Sequence, residues 1–120
     1  MPPEASDAAY LWDMLDAARA ATGFVSGKTK DEYLRDRLLQ AAVERKIEII
    51  GEAARKVSEQ FRSTHPGIPW RPIIAQRHVL AHEYGEIIQE RVWSVIEDHI
   101  PELIAALEPL VPPAPESAEP

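Results

Sequence analysis

The chain has 120 residues, of which 45% are hydrophobic and 28% are charged, and this length allows one folded domain and excludes a second. It contains no cysteine, which excludes a disulfide framework, a thiolate metal site and a cysteine nucleophile. The net charge of −7 argues against a protein that binds nucleic acid through bulk positive charge. However, residues 28–82 carry eleven Lys and Arg against seven Asp and Glu, so the middle of the chain is suited to meeting a phosphate.

The sequence contains no targeting or membrane signal. The N-terminus lacks a basic start followed by an apolar run, and no stretch approaches the roughly 18 uninterrupted apolar residues of a membrane span. We therefore expect a cytoplasmic protein with no membrane partner.

Long helices are predicted before residue 66, because all eleven prolines lie at positions 2 and 3 or from 66 onward. Ser6 or Asp7 can cap a first helix that continues to about Thr22, where Gly23 ends it. Residues 26–28 then form the connection to the next helix.

A capping box at Thr29 and Glu32 predicts the start of one long second helix. Two apolar stripes run along it, which suggests a central helix, or one that packs against its own chain and against a dimer mate. The stripes are Val43, Ile47, Ile50, Ala54, Val57 and Phe61, and Leu34, Leu38, Ala42, Ile49 and Ala53.

Prolines and glycines delimit the remaining helices. Residues 65–69 break the second helix, and a third is predicted from Trp70 to about Tyr84, before Gly85. The helical pattern resumes over residues 90–99, and Pro101 either kinks it or starts a final short helix through Leu107. The sequence thus predicts an all-α, up-and-down bundle of four to five helices over residues 1–107, followed by a disordered, Pro-rich acidic tail at 108–120.

The reactive groups converge in the predicted third helix. Arg77, His82 and Tyr84 combine a permanent cation, an imidazole that titrates near neutrality and a phenol. Cleavage of an RNA phosphodiester needs a base, an acid and a cation but no metal ion. Alternatively, Arg77 forms a surface ion pair and His82 fills a gap near the helix end.

Helix geometry separates the Arg77 side chain from the His82 side chain. At about 100° per residue, Arg77 and His82 point roughly 140° apart on a straight helix, so one helix does not aim both at one phosphate. A distortion, a long reach by the Arg77 side chain, or two copies of the helix across a dimer axis would resolve this, and we favour the dimer.

Other candidates carry weaker signals. His65 and His99 are expected to be structural or exposed, and His78 with His82 is the only helical histidine pair four apart, so no metal site is predicted. Arg45 and Glu48 on the second helix either belong to a network that positions Arg77 or form ordinary solvated ion pairs. The three tryptophans are expected in the core or at an interface rather than as base-stacking platforms.

Residues 77–84, Arg-His-Val-Leu-Ala-His-Glu-Tyr, resemble the motif of the HepT-like toxins, which belong to the HEPN superfamily of helical ribonucleases. The segments 42–54 and 65–71, and residues 92–93 followed by 100–103, are similar to further signatures of that family. The resemblance covers roughly residues 8–107.

The resemblance implies a homodimeric toxin of a toxin–antitoxin pair in which Arg77 and His82 cleave RNA. It also implies a nucleotidyltransferase antitoxin that silences the toxin by transferring AMP to Tyr84, using ATP and magnesium that the antitoxin holds, while this chain needs no cofactor. His78 stands where close relatives often have Asn, so either His78 or His82 can be the base. The alternative function is a non-catalytic dimeric module that binds the nucleotidyltransferase or a nucleotide.

Overall fold

The first helix, α1 (Ala5–Val25), begins before the residues expected to cap it. In the computed structural model, which describes residues 5–75 and 89–111, Asp7 lies within the first turn and is 5% exposed. The helix also continues past Gly23 and ends at Val25, and Gly27 then makes the turn with a φ of +78°, a left-handed conformation that glycine adopts readily. The expected cap at Ser6 or Asp7 and the expected end near Thr22 were therefore wrong.

Asp7 joins α1 to a distant part of the chain. Its carboxylate accepts a hydrogen bond from the Ser58 backbone N–H at 2.8 Å and another from the Ser58 hydroxyl at 2.7 Å. The same Ser58 hydroxyl oxygen accepts a hydrogen bond from the Phe61 N–H and caps the helix that follows. The carboxylate is therefore used in a tertiary contact rather than at the start of its own helix.

The capping box is confirmed. The Thr29 N–H donates to Glu32 Oε1 at 2.9 Å, and the Glu32 N–H donates to Thr29 Oγ1 at 3.1 Å. The helix that it starts, α2 (Lys30–Leu34), is short, and only two residues separate it from the next helix.

The expected long second helix is divided into three: α2, α3 (Arg37–Lys56) and α4 (Glu59–Thr64). At each break a short polar side chain accepts a hydrogen bond from the backbone N–H three residues later, Asp36 from Leu39 and Ser58 from Phe61. These side chains satisfy donors that every new helix leaves unpaired, so the breaks are stabilised locally. The prediction missed them because the apolar spacing continues across both.

The C-terminal helix contains a π-helical turn. Helix α5 covers residues 70–75. After residues 76–88, which are not described, the chain continues without interruption through α6 (Gln89–Ser94), the π-helical turn Val95–His99 and α7 (Ile100–Leu107). Pro101 has no N–H to donate to the carbonyl four residues earlier, and the Ile100 N–H instead reaches back five residues to the Val95 carbonyl. Of the two alternatives, that Pro101 kinks the helix or that it starts a final helix through Leu107, the second agrees with α7, which begins at Ile100 and has Pro101 in its first turn.

Within residues 5–75 and 89–111 the core consists of two clusters, and α3 contributes to both. The first cluster joins α1, the second half of α3 and α7, and it includes Ile50, Ala54, Ile68, Trp70 and Leu107. The second joins α2, the first half of α3 and α6, and it consists of Val25, Tyr33, Val43, Ile47, Val92, Trp93 and Ile96. The expected all-α bundle is confirmed, with more and shorter helices than the four to five predicted.

Two further points concern the limits of the bundle. No helix within the described ranges is both long enough and apolar enough to cross a membrane. After α7, Leu110 and Val111 still pack against the first cluster, and residues 112–120 of the expected tail lie outside the described residues.

Candidate functional site

The structure describes both flanks of the predicted reactive segment but not the segment itself. Arg77, His78, His82 and Tyr84 fall within residues 76–88, outside the described residues, so their predicted roles stay predictions. The described elements that adjoin the segment are α5, which leads into it, and α6, which follows it.

The N-terminal flank is held by a proline-rich turn around two aromatic rings. The His65 ring stacks on Phe61 with centroids 4.0 Å apart, and the Trp70 ring meets Phe61 edge-on at 6.4 Å. The Trp70 indole N–H donates to the His65 carbonyl oxygen at 3.0 Å, and the His65 Nδ1 lies 3.0 Å from the Phe61 carbonyl oxygen. Ile68, between the prolines, is buried.

These contacts fix the position at which α5 begins and the direction of its helix axis. Trp70 is only 8% exposed and its one polar atom is hydrogen-bonded, so it anchors the helix start. His65 was expected to be structural or exposed, and it is half-buried and packed on Phe61. Trp70 was expected in the core or at an interface, and it lies in the core.

The C-terminal flank is held by three side chains that we call the Tyr33 clamp: Tyr33, Gln89 and Glu44. The Tyr33 hydroxyl donates to Gln89 Oε1 at 2.6 Å, and the Gln89 amide nitrogen donates to a carboxylate oxygen of Glu44. Gln89 lies five residues after Tyr84, so the clamp holds α6 in place downstream of the reactive segment.

The clamp is buried on its tyrosine side. Tyr33 is fully buried, and its ring lies 5.3 Å from the ring of Trp93. Burial, and to a smaller extent the negative charge of Glu44, raises the pKa of Tyr33. Tyr33 therefore remains a neutral hydrogen-bond donor throughout the physiological range.

The sequence did not single out any member of the clamp. Tyr33, Glu44 and Gln89 come from three helices and are separated by up to 56 residues, so no spacing rule connects them. The nearest signal was the capping box, which places Tyr33 in the first turns of α2 but says nothing of its partner.

The predicted supporting pair, Arg45 and Glu48, forms an ion pair on α3. Arg45 Nη1 lies 3.1 Å from Glu48 Oε1, with side-chain exposures of 64% and 31%. An exposed pair of this kind contributes about 0–1 kcal/mol to stability. Whether it also positions Arg77 stays a prediction, because Arg77 lies outside the described residues.

Glu48 is four residues from Glu44, so both carboxylates lie on one side of α3.

The described part of the chain offers no ligand set for a metal ion. Within residues 5–75 and 89–111 there is no group of three or more His, Asp or Glu side chains positioned to hold one. His78 and His82 lie outside these ranges, so the expectation of a metal-independent reaction stays a prediction.

A mainly apolar cavity of ≈ 360 Å³ lies between α3, the turn before α5 and the C-terminal helix. Its ionisable lining groups are His99 and Glu102, and both side chains are exposed. The cavity therefore provides apolar surface rather than a set of converging catalytic groups.

Comparison with known proteins identifies relatives over most of the chain. Residues 14–110, which include both flanks and the whole reactive segment, match the family described as "Ribonuclease HepT-like". No solved structure matches the chain significantly.

Three relatives illustrate the similarity. "Putative RNase MJ0127" of Methanocaldococcus jannaschii is 32% identical over 109 residues, which are 91% of this chain and 90% of the relative. "Probable ribonuclease HepT" of Thermococcus cleftensis is 34% identical over 101 residues, or 84% and 92% of the two chains. "Putative RNase TTE0752" of Caldanaerobacter subterraneus subsp. tengcongensis is 34% identical over 94 residues, or 78% and 84%.

Proposed function

Because the chain belongs to the HepT-like ribonuclease family, we propose that it is a metal-independent endoribonuclease that acts on cytoplasmic RNA through Arg77 and His82. The observation that carries this proposal is the family match over residues 14–110, which includes the Arg77–Tyr84 motif. The ribonuclease names of the relatives support the same reaction class.

The proposed reaction is an internal transesterification of the RNA backbone. A histidine imidazole removes the proton of a ribose 2′-hydroxyl, and the 2′-oxygen attacks the adjacent phosphorus. The bond from phosphorus to the 5′-oxygen breaks, and an imidazolium returns a proton to that oxygen. The products are a 2′,3′-cyclic phosphate and a 5′-hydroxyl. His82 is our choice for the base, and His78 is the alternative.

Arg77 supplies the positive charge. Its guanidinium can hold two phosphate oxygens at once and stabilise the extra negative charge that develops in the transition state. Such a contact typically contributes about 10²- to 10³-fold in rate, and proton transfer by a positioned imidazole about 10²- to 10⁴-fold.

We place the site at the interface of a homodimer. The roughly 140° between Arg77 and His82 on a straight helix is bridged most simply if the two groups come from different copies. Leu38 on α3 supports a second copy, because it is a large apolar side chain that is 82% exposed within a predicted apolar stripe.

We further propose that the chain is the toxin of a toxin–antitoxin pair. Its partner would be a nucleotidyltransferase that transfers AMP from ATP to the Tyr84 hydroxyl, with magnesium held by the partner. The phosphate of the AMP group would lie close to Arg77, occupy its guanidinium and exclude the substrate.

The cleavage reaction is tested with purified protein and end-labelled single-stranded RNA or transfer RNA in EDTA. The wild-type chain is expected to cut the RNA and leave 2′,3′-cyclic phosphate ends, whereas Arg77→Ala and His82→Ala lower the rate by about 10²-fold or more. Arg35→Ala and His99→Ala are matched controls, because both side chains are exposed and neither belongs to the motif. Equal cleavage rates for wild type and the two motif variants would refute the proposal. The alternative function, a non-catalytic dimeric binding module, would then be favoured.

The modification is tested by co-expression with the adjacent nucleotidyltransferase. Intact mass spectrometry is expected to detect an AMP adduct that abolishes cleavage and is absent from Tyr84→Phe. Tyr10→Phe is the control, since it removes a partly exposed phenol from a different part of the sequence. An adduct that persists in Tyr84→Phe would contradict the assignment of the tyrosine.

A further inference from the structure

Three arginines line one surface groove beside the predicted reactive segment. The groove, ≈ 660 Å³ in volume, lies between the end of α3, α4 and α5, and we call it the arginine groove after Arg55, Arg62 and Arg71. Among the described residues that line it, Glu59 is the only acidic side chain. In a chain with a net charge of −7, this is a local reversal of charge.

The three guanidinium groups are not neutralised within the described residues. No carboxylate in that part of the chain lies within 4 Å of any of them, whereas Arg19, Lys30 and Arg45 all have acidic partners. Arg55 and Arg71 are exposed, while Arg62 is half-buried and its Nε atom is buried without a hydrogen-bond partner in residues 5–75 or 89–111. A partly desolvated cation of this kind is stabilised when an anion binds beside it.

The groove is suited to phosphates rather than to bases. Trp70, the aromatic residue of its lining, is 8% exposed, and its indole N–H is already bonded to the His65 carbonyl, so the ring offers no stacking platform. Guanidinium groups without an exposed aromatic ring favour a sequence-independent contact with a sugar–phosphate backbone.

The groove adjoins the reactive segment through the chain itself. Ala75 belongs to its lining, and Arg77 follows two residues later. Two residues span at most about 7 Å in any conformation, so a strand that occupies the groove passes close to the motif arginine.

We propose that the arginine groove binds the backbone of single-stranded RNA and leads the substrate to the Arg77–His82 site. The inference rests on the proposed ribonuclease function and adds a second, non-catalytic contact surface to it. Because the contact is to phosphates, it lowers Kd for RNA of any sequence and has a measurable dependence on salt.

Binding is measured separately from cleavage with the full chain and a fluorescent 2′-O-methyl RNA oligonucleotide. This probe keeps its phosphates but has no 2′-hydroxyl to attack them. The groove variant Arg55→Gln/Arg71→Gln changes the two exposed arginines and leaves the half-buried Arg62 in place. The control Arg35→Gln/Arg37→Gln makes the same charge change at exposed positions, and Arg37 lies about 27 Å from Arg55 along α3.

The expected result follows from counterion release. Each phosphate contact on a single strand contributes about 0.7 to the salt slope, so the groove variant should lose about 1.4 from the slope of log Kd against log salt. At 0.1 M salt this corresponds to a Kd about 25-fold higher than that of wild type, measured by fluorescence anisotropy. The control should stay within about twofold of wild type, and a scrambled oligonucleotide should show the same loss.

Three results would overturn the inference: equal Kd and slope for groove variant and control, no binding of RNA by the wild-type chain, or a groove variant that keeps RNA but no longer binds the nucleotidyltransferase. The last result would assign the groove to a protein partner. Binding of the oligonucleotide through the groove without cleavage of unmodified RNA would contradict the proposed catalysis and support the inference about the groove.

Discussion

Removing the hydroxyl of Tyr33 provides a direct test of the Tyr33 clamp. The substitution Tyr33→Phe keeps the buried ring and its contact with Trp93 but removes the 2.6 Å hydrogen bond to Gln89 Oε1. A lost hydrogen bond typically destabilises by about 0.5–1.5 kcal/mol, and an acceptor left unpaired in a partly buried site adds to this. We expect the free energy of unfolding at pH 7 to fall by about 2 kcal/mol.

The pH dependence makes the test more specific. Burial raises the pKa of Tyr33 above the ordinary tyrosine value of about 10, so the neutral phenol stabilises the fold fully below that pH. This stabilisation is lost as the pH rises toward the folded-state pKa, because the unfolded chain ionises first. Between pH 8 and pH 11 the wild-type chain should lose about 1.4 kcal/mol relative to Tyr33→Phe.

Urea unfolding followed by circular dichroism, at fixed chain concentration and several pH values, measures both quantities. Lysine titration affects wild type and variant alike and cancels in the difference. Tyr10→Phe is the control and should stay within about 0.5 kcal/mol of wild type at pH 7, since the Tyr10 hydroxyl has no hydrogen bond within the described residues. Equal stabilities of wild type and Tyr33→Phe at pH 7 would show that the clamp is not formed, and a difference that stays constant to pH 11 would show that the Tyr33 hydroxyl is not buried.

Three further predictions concern the fold and the site. Asp7→Asn should lower the free energy of unfolding by about 2 kcal/mol because it places an amide against the two Ser58 donors, whereas Asp13→Asn, at an exposed position on the same helix, should change it by less than about 0.5 kcal/mol. Equal urea midpoints for the two variants would contradict this. Glu48→Gln should cost less than about 1 kcal/mol, and a drop in cleavage rate without loss of stability would indicate that Glu48 positions Arg77. If each site combines groups from two copies, mixing Arg77→Ala and His82→Ala chains should restore about a quarter of wild-type activity, and no recovery after demonstrated subunit exchange would argue for a site within one chain.

The fold predictions succeeded where the stabilising interaction joins residues that are close together in the sequence. The capping box at Thr29 and Glu32 is made by residues three apart, and Pro101 acts on its own turn, so both could be recognised from the sequence. Asp36 and Ser58 are also local caps, but the apolar spacing of the long predicted helix continued through them and favoured an uninterrupted helix. The bonds from Ser58 to Asp7 span 51 residues, which no local pattern encodes.

The candidate site divides in the same way. Arg77, His82 and Tyr84 could be named because they lie within eight residues and their chemistry is apparent from residue type. The elements that hold the two ends of that segment could not be named. The Tyr33 clamp joins three helices, and the three arginines of the groove come from α3, α4 and α5, so both sets become visible only when the helices are packed.

The division of the described core into two clusters has a consequence for how the two flanks of the reactive segment unfold. Its leading flank is anchored by Ile68 and Trp70 in the first cluster, and its trailing flank adjoins Val92 and Trp93 in the second. Local unfolding of one cluster can therefore release one end of the segment while the other end stays anchored. Hydrogen exchange would then report two separate protection levels across one short protein, and a ligand that loosened only the second cluster could block the proposed cleavage without touching Arg77 or His82.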